Sequence, residues 1–405
     1  MLCEIEGSKA VAAAVAACRP GVVCAYPISP QTHIVEELSR LVKVGELECE
    51  YVNVESEFAA QSVAIGASAV GARAYTATAS QGLLFMVEAV YNAAGLGLPI
   101  VMTVANRAIG APINIWNDQS DTMSQRDCGW LQLFAGDNQE AADLHVQAFR
   151  VAEELSLPVM VCMDGFVLTH AVERVDVPER EQVDAFLPPF SPVQRLDPAD
   201  PVTIGAMVGP EAFTEVRYLA HTKQVHALEV IERVGAEFAA AFGRDSGGLL
   251  HTYRTQGAET IVVALGSVTG TLKDVIDTMR EGGIPIGLVS LVSFRPFPLR
   301  AMEKALAGAR RVVSLERAFS PGRGGIVEED LRRVLWRRAG SVTLSTVVAG
   351  LGGRDITSTG LRAVLERACH GETGELEFMD LDHAALAAHT SQVGHPEPVT
   401  QGEPA

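Results

Sequence analysis

Short apolar runs alternate with helix-like stretches through the first 175 residues, and no other feature limits the fold of this chain as much. The runs are GVVCAYP (21–27), EYVNV (50–54), RAYTATAS (73–80), LPIVMTVAN (98–106) and LPVMVCMD (157–164). They are rich in β-branched residues and end in turn-forming ones, as strands do. Between them lie PQTHIVEELSRLV, SEFAAQSVAIGASAV, LLFMVEAVYNAAGL and NQEAADLHVQAFRVAEEL, which carry helical periodicity. Such alternation demands right-handed crossovers and a mostly parallel sheet covered on both faces. The fold class expected is α/β, with a doubly wound domain over residues 1–175.

The pattern then breaks. DVPEREQVDAFLPPFSPVQRLDPADP (176–201) is rich in proline and acid and reads as a linker or wrapping segment. That segment is assigned to 176–255 and includes the helical stretch HALEVIERVGAEFAAAFG (226–243). Alternation resumes with ETIVVALGS (259–267), IPIGLVSLVSF (284–294), RRVVSLER (310–317) and VTLSTVVAGLGG (342–353), each followed by a helical stretch. A smaller C-terminal α/β domain is expected over 256–390, and a polar tail over 391–405.

Charge narrows the partners. Fifty acids against 32 bases give a net charge of −18, which speaks against nucleic acid and against an anionic membrane surface. No apolar run approaches the ~20 residues that span a bilayer. AVAAAVAAC (10–18) follows Glu4 and Glu6, where an export signal would be basic, so it reads as a first helix capped by Ser8 and stopped at RPG. The seven cysteines are scattered without a C-x-x-C pair. They signal no metal site and no cluster on this chain, and they suit a reducing cytoplasm.

In open α/β sheets, ligands bind beyond the carboxyl ends of the strands. The polar residues at those ends are Ser29, in the proline-bracketed turn YPISPQT (26–32), then Glu55 and Glu57, Ser80 and Gln81, Asn106 and Arg107, and Asp164. Each also has a plainer reading. Glu57 suits a helix start, where an acid complements the dipole. Arg107 suits a surface ion pair, and Asp164 before Gly165 suits a turn. The stretch NRAIGAPINIWNDQSDTMSQRDCGW (106–130) holds two of the three tryptophans. Ordering so long a polar loop is costly, and such loops usually serve a site or an interface.

Several motifs now carry a resemblance. YPISP, VESEFAAQSVAIGASAVGARAYTATASQGLLFM, NRAIGAPINIWNDQSD, MDGFVLTH, SFRPFP, SLERAFSPGRGG and GLGGRDIT resemble the α subunit of pyruvate:ferredoxin oxidoreductase, in the 2-oxoacid:ferredoxin oxidoreductase family. The likeness runs from near residue 8 to about residue 370, in family order. It implies a thiamine diphosphate-dependent enzyme with a pyrimidine-binding-type first domain and a transketolase C-terminal-like second domain. The reaction implied is CoA-dependent oxidative decarboxylation of pyruvate to acetyl-CoA and CO2, with electrons passed to ferredoxin; its direction stays open.

The resemblance also divides the labour. It implies a β subunit that holds the diphosphate and its magnesium, 4Fe-4S clusters on partner subunits, and γ and δ subunits beside them. The sequence fits that division. It has no Gly-Asp-Gly with a following metal-ligating Asn, MDG (163–165) being a partial imitation. Matched residue by residue, Glu57 is the carboxyl that hydrogen-bonds the aminopyrimidine, with Ser80 and Gln81 near the cofactor. Arg107 receives the substrate carboxylate, and Ser29 stands where relatives carry Thr. SFRPFP and SLERAFSPGRGG are expected to serve subunit contacts.

Two other readings stay open. The same scaffold could take 2-oxobutyrate, 2-oxoglutarate, a branched 2-oxo acid or oxalate, although the apolar AIGAPINIWN beside Arg107 favours a small acid with a methyl end. The chain could instead be a non-catalytic assembly subunit; retention of Ser29, Glu57 and Arg107 together opposes that.

Overall fold

The computed structural model describes residues 2–393. The described chain forms two compact units, one running to Leu250 with Leu291–Pro298 added, the other comprising His251–Ser290 and everything from Leu299 onward.

The first unit begins with β1 (Leu2–Glu6), α1 (Gly7–Ala17), β2 (Val22–Ala25), α2 (Thr32–Lys43), β3 (Glu50–Asn53) and α3 (Glu57–Ala69). It continues through β4 (Ala74–Thr78), α4 (Ser80–Phe85), α5 (Val87–Gly95), β5 (Ile100–Asn106), α6 (Ser120–Ser124) and β6 (Leu131–Phe134). Then come α7 (Asn138–Leu155), β7 (Val159–Asp164), β8 (Val172–Asp176), α8 (Arg180–Phe186) and α9 (Pro210–Phe242).

The second unit takes in β9 (Leu250–Tyr253), β10 (Thr260–Ala264), α10 (Val268–Glu281) and β11 (Ile286–Leu291). After β12 (Ser293–Arg295), which belongs to the first unit, it resumes with α11 (Leu299–Ala305), β13 (Arg311–Glu316), α12 (Val327–Leu335), β14 (Thr343–Val348), α13 (Ser358–His370), β15 (Leu376–Phe378) and α14 (His383–Val393).

The main sheet of the first unit has the order β12-β6-β7-β5-β4-β2-β3. All its pairs are parallel except β12 with β6. Every residue of β4, β5 and β7 is buried, because both faces of a parallel sheet are covered by its crossover helices. The small residues of α1, Ala10, Ala14 and Ala17 among them, let that helix pack closely into the same core as Phe149 of α7. A separate antiparallel ribbon pairs β1 with β8, Glu6 opposite Val172. In the second unit the order is β15-β14-β13-β10-β11-β9, over a core that includes Leu272, Leu288, Val313 and Leu365.

Several expectations need correction. Ser8 does not cap α1: its hydroxyl donates to the Thr169 carbonyl at 2.7 Å, and the N-cap is Glu6. LLFMVEAVYNAAGL is not one helix but two, parted at Met86. The helix expected from His226 begins at Pro210, where a proline at its first position is already preorganised. Apart from any subunit contacts, SFRPFP and SLERAFSPGRGG also serve the chain's own packing: Ser293 and Phe294 are fully buried in the edge strand that pairs with β6. In SLERAFSPGRGG, the Glu316 carboxylate accepts the amides of Ile326, Val327 and Glu328 at the start of α12. Residues 391–393 are helical in backbone; the rest of the expected tail lies outside the described residues.

Candidate functional site

The winding of the first sheet reverses between β2 and β4: β3 lies outward of β2 on one side, and β4, β5 and β7 succeed one another on the other. A crevice at such a reversal is where α/β sheets hold ligands. Ser29, Glu57 and Ser80 follow β2, β3 and β4 nearest to it, while Arg107 follows β5 and Asp164 ends β7 farther along the same edge.

Glu57 is the first residue of α3, whose N-cap Ser56 accepts the Ala59 amide at 3.2 Å. It occupies a helix start, but it is also only 8% exposed. A Cβ at Gly82 would lie 2.7 Å from Glu57 Oε1 and 2.5 Å from Thr78 Oγ1. Glycine at 82 therefore lets the carboxyl press against the start of α4. Glu55 faces solvent.

Ser80 follows β4 with a left-handed φ of 47°, a conformation that costs a non-glycine residue about 1–3 kcal/mol. Its hydroxyl donates to the Ala108 carbonyl. Gln81 abuts Gly110, where a Cβ would stand 2.5 Å from Nε2. Both residues thus tie α4 to the loop that follows β5.

Arg107 is 7% exposed. Its Nη1 donates to the Ser29 carbonyl at 2.9 Å and its Nε to the Asn114 carbonyl at 3.2 Å. Nη2 has no hydrogen-bond partner among the described residues. Burial draws its pKa below the ordinary value, and the Asp121 charge opposes that. Ser29 itself is exposed. The structure joins Ser29 to Arg107 through the main chain, not through the hydroxyl.

One residue that holds the site together escaped the sequence reading. The Asp121 carboxylate is fully buried. Its Oδ2 accepts the amides of Ser80 (2.9 Å) and Arg107 (3.0 Å), and its Oδ1 accepts Asn106 Nδ2 (2.8 Å) and the Thr122 amide (2.8 Å). It thus clamps the ends of β4 and β5 together. Burial pushes its pKa up to about 6, against four donors that pull it down. The only signal in the sequence was the acid-rich NDQSD inside the long loop.

Asp164 is buried and accepts Gln119 Nε2 at 3.0 Å. A Cβ on Gly165 would meet the Asn106 carbonyl at 2.4 Å and Pro30 Cγ at 2.5 Å. Gly165 of MDG is therefore packed against its own neighbours, with no room for a side chain. Elsewhere along the strand ends, buried polar atoms lack partners: Gln31 Oε1, both amide atoms of Gln61, Thr78 Oγ1 and Asn106 Oδ1. Gln61 stands one turn along α3 from Glu57. Buried groups of this kind call for a polar ligand or water. All seven cysteines are free, and among the described residues none joins a metal-binding group.

Comparisons with known proteins show the family and the fold. The family model described as pyruvate flavodoxin/ferredoxin oxidoreductase, thiamine diphosphate-binding, matches residues 13–236. That of pyruvate:ferredoxin oxidoreductase core domain II matches residues 258–361. The chain is 48% identical to pyruvate synthase subunit PorA of Methanosarcina barkeri, over 94% of this chain and 97% of that one. It is 44% identical to the same-named subunit of Methanothermobacter thermautotrophicus, over 90% and 94%. It is 39% identical to ketoisovalerate oxidoreductase subunit VorA of Pyrococcus abyssi, over 89% and 92%. Among solved structures, 2-oxoglutarate:ferredoxin oxidoreductase from Magnetococcus marinus superposes with a TM-score of 0.68 at 17% identity, over 91% of this chain and only 65% of that one. A split-gene transketolase superposes at 0.53 and 16% identity, over 91% and 99%. These two show the fold alone: α/β and transketolase-like.

Proposed function

The chain belongs to the pyruvate:ferredoxin oxidoreductase family and is an oxidoreductase subunit of it, and on that footing we propose that it is the α-type subunit of an enzyme that oxidatively decarboxylates pyruvate to acetyl-CoA and CO2, with coenzyme A as acyl acceptor and ferredoxin as electron acceptor. The observation that carries the reading is the buried Arg107, held beside the switch-point crevice by the Ser29 and Asn114 carbonyls.

Thiamine diphosphate supplies the nucleophilic carbon and the electron sink for decarboxylation. This chain's residues fit its aminopyrimidine half: a Glu57 carboxyl set in the recess that Gly82 leaves open, with the unpartnered Thr78 hydroxyl at the end of β4 against the same glycine and the unpartnered Gln61 amide one turn along α3. They do not match its diphosphate half, since the chain has no Gly-Asp-Gly with a following metal-ligating Asn and MDG (163–165) is only a partial imitation. A β subunit therefore holds the diphosphate with its magnesium. The 4Fe-4S clusters sit on partner subunits, the β subunit among them, and γ and δ subunits complete the assembly. Tyr26, Phe58, Phe85, Ile113 and Trp116 are exposed around these strand ends, apolar surface that a partner subunit would cover.

Each residue then has a task. Glu57 donates to the aminopyrimidine and orients it. Arg107 receives the substrate carboxylate through Nη2, the fork being fixed in advance by its other two bonds. Ser80 and Gln81 hold the loop after β5 against α4, at the cofactor's edge. Ile113 and Ile115 on that loop offer an apolar surface to a short alkyl end, not a second carboxylate. Among the described residues no helix is long and apolar enough to cross a membrane.

The test is steady-state turnover of the assembled complex with pyruvate, 2-oxobutyrate, 2-oxoisovalerate, 2-oxoglutarate and oxalate. Pyruvate is expected to give the highest kcat/KM. The VorA relatives make a branched 2-oxo acid the second reading, and 2-oxoisovalerate would win if that reading held.

A further inference from the structure

Glu6, His33 and His170 converge at one spot outside the site already described. They come from the end of β1, the first turn of α2 and the turn between β7 and β8. One nitrogen or oxygen from each lies within 4.8 Å of the others. We propose that these three side chains form a binding site for a single divalent transition-metal ion of the zinc class.

The backbone holds two of the three rigidly in place. The Gly7 amide donates to the Ala171 carbonyl and the Ser8 amide to the Thr169 carbonyl, both at 3.0 Å. Together with the pairing of Glu6 opposite Val172, these bonds fix Glu6 against the turn that carries His170. His33 follows Gln31, whose buried amide donates to the carbonyls of Tyr26 (3.3 Å) and Ala77 (2.6 Å).

The chemistry of the donors suits the ion. His170 Nδ1 lies 2.7 Å from the Thr169 hydroxyl. A histidine ligand ordinarily has such a partner on its second nitrogen, which fixes the ring and leaves Nε2 for the metal. His33 Nδ1 lies 2.6 Å from Glu6 Oε1, where a proton now bridges a pair that a cation would bridge instead. Two imidazoles and a carboxylate form a borderline-soft set, suited to zinc and unlike the all-oxygen sets of magnesium or calcium. Zinc bonds of about 2.0–2.2 Å in a tetrahedron place ligand atoms roughly 3.4 Å apart. The half-exposed His33 side chain, 46% accessible, is free to make that adjustment, and the open side leaves room for water as a further ligand.

The site would also reach the substrate loop. His33 stacks near His170 (centroids 4.5 Å apart), His170 near Phe166 (4.8 Å) and Phe166 near Trp116 (4.9 Å). Trp116 accepts the Ala108 amide through its carbonyl at 3.0 Å, next to Arg107. A bound ion would therefore fix one end of a ring ladder whose other end lies in the loop over Arg107.

The experiment is calorimetric titration of the full, purified, metal-stripped chain with zinc, repeated with cobalt and read by visible absorption. One ion per chain is expected, with a cobalt spectrum free of thiolate charge-transfer bands. His33→Ala and His170→Ala should each weaken binding by at least the 10–100-fold that loss of a supporting partner costs, while Cys3→Ser should leave it unchanged. Circular dichroism of each variant checks the fold; His33 is exposed enough to be truncated without opening the core. Wild-type affinity no greater than that of a correctly folded His33→Ala variant would overturn the proposal, as would a thiolate band in the cobalt spectrum.

Discussion

The Arg107 guanidinium holds the main-chain carbonyl of Ser29 at 2.9 Å. This bond makes the two residues unequal under mutation. Arg107→Ala should lower kcat/KM for pyruvate by about one to two orders of magnitude, the worth of a charged hydrogen bond. Arg107→Lys should recover little, because a single ammonium cannot hold the Ser29 and Asn114 carbonyls and still face a carboxylate. Ser29→Ala should cost much less, since the carbonyl that positions Arg107 survives. Kinetics of the assembled complex decide it, and an Arg107→Ala enzyme with unchanged constants would place the substrate carboxylate elsewhere.

Glu57→Gln should leave assembly intact and slow exchange of the cofactor's C2 proton by roughly two to four orders of magnitude, the range of positioned acid–base groups. Gly82→Ala provides a second probe. Its methyl would stand 2.7 Å from Glu57 Oε1 and should displace the carboxyl, so that exchange slows although Glu57 is still present. Normal exchange in both variants would reduce Glu57 to a helix-start acid.

Asp121→Asn should lower thermal stability and turnover together. Whichever way the new amide turns, two buried N–H groups lose an acceptor, at about 1–3 kcal/mol each. The pH dependence has a definite sign. Burial raises the folded-state pKa of Asp121 to about 6 from 3.8, so its stabilising contribution is present near pH 4 and is lost as pH rises through 6. Denaturant titrations should show a slope between pH 4 and 6 in wild type that is absent in Asp121→Asn.

His145 should give the opposite slope. It is fully buried on α7, where Nδ1 donates to the Ala141 carbonyl at 2.6 Å and Nε2 accepts from Thr103, which in turn meets the Tyr75 hydroxyl at 2.6 Å. Burial draws its pKa down to about 4 from 6.5. The neutral ring stabilises the fold above pH 6.5, and that contribution is lost as pH falls through 4, to roughly 3 kcal/mol in all. The His145→Gln variant should be less acid-sensitive than wild type over this range, measured by urea unfolding. A wild-type slope that persists in the variant would assign the acid sensitivity to other groups.

Most strands that could be read from sequence are buried on both faces: β4, β5 and β7 are rich in apolar and β-branched residues, as burial demands wherever helices cover both sides. The edge strand β3 was read from Tyr51 and Val52 between polar neighbours. β6 is short and carries Gln132, fully buried and bonded to the Thr122 carbonyl, so its polar centre hid it. The first half of α9 exposes Phe213, Tyr218 and Leu219 and so shows no amphipathic stripe. Ser29, Glu57, Ser80 and Arg107 stood out as candidates because each comes within four residues of a strand end. Asp121 was not, because its role rests on amides 41 and 14 residues away, a distance no local pattern records.

β12 has a consequence for how the protein is made. The first sheet needs Ser293–Arg295 to cover β6, and the Phe134 amide finds its acceptor only in Val292. A ribosome releasing the chain from its N-terminus completes β6 long before that edge strand appears. Until then the first sheet presents a bare edge, the kind of surface through which partly made chains join one another. A gene truncated after Leu250 would leave that vulnerability in place for the life of the product.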